Sequence, residues 1–421
     1  MRMPMLNRLF RQTGLPRAYQ SNFTNLYLDI AWFGVLSGST VNFLNVYATR
    51  IGATGFDIGL IGAMSAVVNL FLAIPAGRWL EKQRIGPAMF WTSIFYRLGF
   101  LPFVFLPNLF TQSAQIAAII ALTFLMAIPL TPLGVGFNAL FAEAVPAEYR
   151  AQVAGIRNVM LAFTFMFTSL LSGYILEHVP FPIGYQIVFG LGFLGAMLSS
   201  YHLYFVKPLN LDENPHPSQP QPATSSQTAS PRNLSALLRI DIWQTPYRTT
   251  LLALFTFHLA QYLAIPIFPL FNVRILNLSD DEIGIGTALF YLTVFLGSTQ
   301  LRAVVHRLGN KRTAGWGVAG LALYPILIAF SQTPLHFYLV SFMGGFIWSL
   351  VGGSYANYML ENIPADDRPP HLAWYNVVLN LAVLAGSLGG PAIADAIGLA
   401  NALILFGCLR FLAGVSILKW G

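Results

Sequence analysis

Residues 143–158, EAVPAEYRAQVAGIRN, return as residues 361–376, ENIPADDRPPHLAWYN. In both copies an acid closes an apolar run, Pro-Ala and then Arg follow at equal offsets, and an Asn comes later at the same distance. The register extends without a gap: Gly134, Val159, Leu161, Leu170 and Ile175 recur as Gly352, Val377, Leu379, Leu388 and Ile393. Glu148 and Glu177 correspond to the acids Asp366 and Asp395. Apolar helices often look alike, but polar residues in register do not arise so easily. The pattern indicates a duplicated unit.

What surrounds the two copies fixes the solvent. Of 421 residues, 56% are hydrophobic and 9% charged, where a soluble domain carries about 25% charged residues. Apolar runs fall at about 25–48, 56–77, 87–107, 114–142, 151–176, 183–206, 248–272, 283–303, 313–331, 335–360, 371–394 and 400–419. Each is long enough to cross hydrocarbon, and only helices satisfy every backbone group there without the strict alternation of a barrel strand. The expectation is an all-α membrane protein with twelve transmembrane helices, the duplicated unit joining spans 4 and 5 and again spans 10 and 11. The first run contains Asp29 and lacks a small-residue exit, so it reads as a span rather than a cleavable signal.

The formal charge of +7 does not point to nucleic acid, because its carriers are spread by topology. With the N-terminus inside, eighteen Lys and Arg fall in inner loops and only Arg50 and Arg274 in outer ones. Cytoplasmic loops collect such residues, so both termini are expected in the cytoplasm of a plasma (inner) membrane protein. Arg97, Arg157 and Arg410 remain at membrane depth. Between Lys207 and Pro246 the chain turns to Pro, Ser, Gln and Thr, too polar to bury a core. The expected organisation is a cytoplasmic segment 1–24, a six-helix bundle 25–206, a linker 207–246 and a second bundle 247–421. Leu234, Leu237, Leu238 and Ile242 share one helical face, which predicts a short helix on the inner membrane surface.

The loop after span 2 reads GRWLEKQR, Gly77–Arg84, and the loop after span 8 reads RAVVHRLGNKR, Arg302–Arg312. Both resemble the G-x-x-x-D-R-x-G-R-K loop of the major facilitator superfamily. In the second copy Arg307, Gly309 and Lys311 match while Arg302 and His306 replace the Gly and Asp. In the first, Gly77 fits, Glu81 stands for the Asp and Lys82 for the Arg, and the later basic pair is missing. With twelve spans, inside termini and a polar central linker, the resemblance covers nearly the whole chain. It implies two pseudo-symmetric six-helix bundles that rock about a midplane site, with spans 1, 4, 7 and 10 lining the cavity.

Those spans direct attention to polar side chains, which in a bilayer face a bundle or water. The cavity candidates are Asn42, Asn45, Asn138, His258, Gln261, Tyr262, Trp348, Tyr355 and Asn357, with Asn376 and Asn380 added from span 11. The bland reading of each is a hydrogen bond between helices. Asp29 and His258 are the residues able to carry a proton, and the sequence leaves proton coupling, another ion and simple facilitation open. Basic loops beside acids at helix ends suggest a latch: Arg78 or Arg84 with Glu143, Glu81 within the same loop, and Arg302 or Arg307 with Glu361. Arg97 and Arg410 must find an acid or helix carbonyls, a structural rather than substrate-binding duty. GSLGGP, Gly386–Pro391, reads as close helix packing around a Pro kink.

The sequence carries no catalytic constellation. There is no phosphate-binding G-x-x-x-x-G-K-[ST] loop, no H-E-x-x-H and no G-x-S-x-G. Cys408 is the one cysteine, so no cofactor or metal is expected, and the anticipated partners are lipid and a small solute, with protons as a candidate coupling ion. An amide-rich cavity without a dense cluster of cations favours a neutral or amphipathic solute. The rival reading is a transporter-like protein that does not transport: a receptor, a lipid or pigment handler, or an assembly factor.

Overall fold

A computed structural model describes residues 16–209, 239–364 and 367–421. Arg2, Arg8, Arg11 and Arg232, the residues Leu234, Leu237 and Leu238 of the expected surface helix, and Asp366 of the repeat lie outside the described residues.

The described chain is helical throughout. Helix α1 runs through Arg17–Leu36, a π turn Ser37–Val41 and Asn42–Arg50. It begins ahead of its apolar run, because Arg17 and the polar turn after it continue the helix. Then come α2 (Gly55–Leu80), α3 (Ile85–Leu109, interrupted near Gly99), α4 (Gln112–Ala144), α5 (Ala147–His178) and α6 (Ile183–Tyr204). In the second half, α7 spans Tyr247–Arg274 with a break before Pro266, and Asp280–Ala329 follows as one 50-residue segment. That segment turns at Gly309, whose φ of 77° requires a residue without Cβ, which divides it into α8 (280–308) and α9 (310–329). Helices α10 (Pro334–Glu361), α11 (Arg368–Ile397) and α12 (Leu399–Trp420) complete the chain.

Ten of these segments are long and apolar enough to cross a membrane. Adding α1, whose π turn splits it into shorter pieces, and dividing the 50-residue segment at Gly309 brings the count to twelve. The expected loop Arg302–Arg312 is thereby corrected: residues 302–308 extend α8, and the turn is confined to Gly309. Likewise α2 carries Gly77 to Leu80 before it ends. An apolar window stops at the first charges, whereas a helix continues into the interface wherever its polar residues reach water.

Within the first half α1 packs on α5 and α6, and α2 on α4; in the second, α7 packs on α11 and α12. The halves meet along α2 with α11 and along α5 with α8. Exposed Phe71, Trp91, Phe95, Phe163, Leu339 and Leu412 cover the outside, as lipid-facing surfaces require. The face that carries Arg17, Tyr204, Tyr247 and Trp420 is here termed the terminal face, and its opposite the distal face.

The region around the linker is anchored at both ends. Asn22 donates to the carbonyls of Ala144 (3.0 Å) and Lys207 (2.7 Å) and accepts from the Lys207 N–H (3.0 Å). On the far side of the linker, Ile240–Gln244 forms a 3₁₀ turn with Ile242 buried and Trp243 edge-on to Trp374. Of the expected surface helix, this turn is the part that is described.

Candidate functional site

The two halves close on each other at the distal face. An added Cβ on Gly59 of α2 would collide with the Ser387 carbonyl of α11, and Gly55 lies against Pro391. These contacts use the GSLGGP run; within the second half, its Gly386 and Gly390 also press on Tyr262 and Leu263 of α7. That run is close packing, as its composition suggests, and Pro391 sits inside α11. On the other side of the molecule Gly173 of α5 approaches Asp280 and Gly284 of α8 so closely that a Cβ would sit 2.9 Å from the Asp280 carbonyl. Ser169 donates to the Gly284 carbonyl (3.3 Å) and accepts from Asn42 (3.2 Å).

An ionic cluster reinforces this closure. Arg50, at the end of α1, donates to Asp280 (2.8 Å) and to the Leu278 carbonyl (2.9 Å), and the Tyr185 hydroxyl donates to the other Asp280 oxygen (2.9 Å). Asp280 is buried and Arg50 partly so, so salt screens this pair less than a surface one. A cavity of about 260 Å³ lined by Arg50, Glu177, Phe181, Tyr185, Ser279 and Asp280 opens beside it on the distal side.

Midway across the interface the closure becomes a thin polar chain. Thr131 of α4 donates to Asn69 of α2 (2.7 Å), Asn69 to Asn380 of α11 (3.3 Å), and Asn380 to the Asn376 carbonyl (2.8 Å). On the opposite seam Phe165 stacks on Tyr291 with ring centroids 3.9 Å apart. Toward the terminal face contact gives out: a Cβ on Gly77, Gly134 or Gly155 would meet nothing within 4 Å, and on Gly352 only the Trp348 ring nitrogen at 3.8 Å. Gly134 and Gly352 are the repeat-related pair with which the duplication begins.

The cavity candidates divide accordingly. Asn138 is exposed on the same face of α4 as Gly134, and Asn357 and Asn376 are exposed as well. Trp348, Tyr355 and Asn380 are half-buried. Asn45 and Gln261 each leave a buried carbonyl oxygen without a partner. His258 instead lies in the interior of the second bundle, 6% exposed, with Nε2 3.1 Å from the Tyr375 hydroxyl and its ring against Phe257 and Tyr355. Tyr262 is packed under Gly386. Tyr375 and Thr131 were invisible as partners in the sequence, because the helices that bring them into place are far apart in the chain.

The three arginines at membrane depth find the kinds of partner that physics demands. Asp29 of α1, 3% exposed, receives Arg97 of α3 at 3.5 Å, Arg157 of α5 at 3.3 Å and the Ser199 hydroxyl of α6 at 2.6 Å. Arg97 also donates to Ser200 (2.8 Å), and Arg157 to the Leu26 carbonyl (2.7 Å), with its guanidinium 4.8 Å from the centre of the Phe137 ring. Arg410 has no acid. It reaches the carbonyl of Leu321 and those of Ala260 and Gln261, at 3.4–3.5 Å. Pro325 cannot donate to the Leu321 carbonyl, so Arg410 caps that kink, and its other contacts fall on the last turns of α7 before the break at Pro266. The proton-carrying candidates Asp29 and His258 are not brought together: one belongs to each bundle.

The expected latch pairs are not formed in this structure. Arg78, Glu81, Arg84, Glu143, Arg302 and Arg307 are exposed, and no ion pair among the described residues joins Glu143 or Glu361 to these cations. Glu361 accepts instead from Asn310 (2.7 Å), which the turn at Gly309 delivers to it. The ion pairs of the terminal face lie within the second half. Arg239, in left-handed backbone (φ 49°), forks onto Asp241 (3.0 Å) and Asp367 (2.8 Å). Hydrogen bonds from this guanidinium hold both carboxyls below the usual range.

Comparison with known proteins agrees with this geometry. The sequence profile of the Major Facilitator Superfamily matches residues 30–260 and 250–420. The chain belongs to that superfamily and is an integral, multi-pass membrane transporter of small solutes. It is 25% identical over 310 residues to the cis,cis-muconate transport protein of Acinetobacter baylyi, covering 70% of each chain. It is 29% identical over 188 residues to the staphyloferrin B transporter of Staphylococcus aureus, covering 42% of this chain and 43% of that one. Among solved structures it is similar in fold to the xylose transporter XylE from E. coli in its inward-open conformation, with a TM-score of 0.68, 13% identity and 96% of each chain covered.

Proposed function

We propose that this transporter works by alternating access, with the distal face outside the cell, both termini in the cytoplasm of a plasma (inner) membrane protein, and the present conformation facing inward. The observation that carries the reading is the asymmetry of the seam. Glycine contacts, the Asn42–Ser169–Gly284 chain and the Arg50–Asp280–Tyr185 cluster join the halves on the distal side, and open space lies beside repeat-related glycines on the other. Two rigid bundles hinged at the Asn69–Asn380 and Phe165–Tyr291 contacts would exchange these states by rocking.

In this reading Asn138, Trp348, Tyr355, Asn357, Asn376 and Asn380 line the inward cavity, and Asn45 and Gln261 offer unpartnered carbonyl oxygens to a solute. The latch cations and Glu143 and Glu361 separate here and would meet in the outward-facing state. Proton coupling is assigned to Asp29, because it alone of the two candidates sits between cations that its protonation would release. Muconate and staphyloferrin B, the cargoes named for the relatives, define the first solutes to try. Flux into proteoliposomes with and without a pH gradient tests the proposal. Solute-dependent flux that double cysteine cross-linking of the distal seam abolishes is the expected result; binding without any flux would identify a non-transporting relative instead.

A further inference from the structure

The charges of the first bundle do not balance. Among the described residues Asp29 is the one carboxylate in contact with Arg97 and Arg157, so one positive charge is left over inside the bundle, where an uncompensated ion is costly. The two arginines are not equivalent. Arg97 is fixed by Ser200 and is the more deeply buried, with 6% of its side chain exposed. Arg157 keeps 10% exposed and lies over Phe137, whose neighbours along α4, Gly134 and Asn138, border open space. The sequence showed no cation cluster because α3 and α5 contribute one arginine each; the fold assembles it.

Resting on the transport reading, we infer that Arg157 is the seat for a carboxylate of the solute, and that the solute takes the place Asp29 holds in the empty carrier. Protonation of Asp29 converts the carboxylate to a neutral acid and removes the Coulombic tie to Arg157; Ser199 and Arg97 continue to hold the acid oxygens. Phe137 swings from the guanidinium, and the solute carboxylate forms the two-pronged contact that arginine geometry favours. Charge balances over the exchange: one proton enters Asp29 for each carboxylate that enters, and the bundle ends with the net charge it began with. The other titratable or charged groups around Asp29 are Tyr27 on its own helix, Tyr96 and Arg97 on α3, Arg157 on α5 and His202 on α6, which bonds Asn25. None of these besides Asp29 is an acid that could serve as the exchanging anion.

The test uses the detergent-purified full chain and a panel of mono- and dicarboxylates of two to ten carbons, each paired with its methyl ester, scored by thermal stabilisation and by proton uptake with a pH indicator. At least one acid should stabilise the protein where its ester does not, with about one proton taken up per molecule bound. Arg157→Gln should weaken that acid by about 100-fold, the scale of a buried charged hydrogen bond losing a partner, while Arg157→Lys retains part of the affinity. Asp29→Asn, which mimics the protonated carboxyl, should still bind the acid but take up no proton. Because loss of binding in either variant could come from misfolding, each is first compared with the parent by its cooperative melt; a variant that does not melt cooperatively is replaced by Phe137→Leu, for which acid binding should tighten. Esters that stabilise as well as their acids, Arg157 variants that bind unchanged, or a panel in which no acid binds would overturn the inference. Flux of an ester or of another neutral solute in those circumstances would leave the transport reading standing, whereas a carboxylate that binds with proton uptake yet is never carried would remove transport and keep the site.

Discussion

The distal and terminal ends of the same two seams are built from opposite materials. At the distal end, glycine lets backbone touch backbone across α2 and α11 and across α5 and α8, and one buried acid binds an arginine and a tyrosine from the other half. At the terminal end, Gly77, Gly134 and Gly155 face space, and the ion pairs of the described residues stay within one half. A seam that zips at one end only is what the proposed rocking would show in one of its two states. The lesson is that similar residue types have different duties according to which end they occupy: Gly59 permits contact, whereas Gly77, on the same helix, leaves room.

Substitutions can break this contrast in order of severity. Gly59→Leu has no space for its side chain and should overpack the distal seam by about 1–3 kcal/mol, shifting the equilibrium toward the distal-open state about 5- to 150-fold; labelling of a Ser169→Cys thiol, buried in the closed seam, in a Cys408→Ser background reports the opening. Asp280→Asn strands Arg50 and weakens the bond to Tyr185, a loss of about 1–3 kcal/mol, and should raise the same labelling by a smaller factor. Asn69→Leu removes one mid-seam hydrogen bond, about 1 kcal/mol, and is expected to change the rate of exchange between states more than the labelling at rest. Gly77→Ala and Glu143→Gln should alter the stability of the protein in its present, terminal-open conformation by less than about 0.5 kcal/mol. If Glu143→Gln nonetheless slows flux, the latch belongs to the outward-facing state.

A pH experiment sharpens the terminal side. Hydrogen bonding to Arg239 lowers the Asp367 carboxyl, so the stabilisation it provides is complete above the ordinary aspartate range, about 3.9, and fades as pH falls through the lowered value. Asp367→Asn should remove that part of the acid-side loss and leave solute flux at neutral pH unchanged, since this clasp lies within one half. A change in flux would mean that the linker end takes part in the hinge.

Much of this architecture was legible in the chain. Apolar run lengths gave the spans, the Lys and Arg count left Arg97, Arg157 and Arg410 as misfits, and GSLGGP announced close packing. The misfits were recognised, but not their partners. Arg97 meets an acid two helices earlier, and Arg410 meets helix carbonyls, of which that of Leu321 lacks its usual donor because Pro325 stands four residues on. Contacts of that kind depend on tertiary placement that no local pattern encodes. Helix ends were misjudged for a related reason, since α2 and α8 run on past the last apolar residue into water. The lack of a dense cation cluster in the sequence did not foretell that Arg97 and Arg157 meet at Asp29, because α3 and α5 carry one charge each.

The π turn Ser37–Val41 has a consequence for everything beyond it in α1. One added residue in a helical turn rotates the remainder by about 100° relative to an uninterrupted helix. Asn42 consequently points at Ser169 of α5, and Arg50 arrives on the side where Asp280 waits. Excising a single residue from this stretch would spin both off their targets while leaving the composition and hydropathy of the helix almost untouched: the distal closure is set as much by a phase shift as by the residues that perform it.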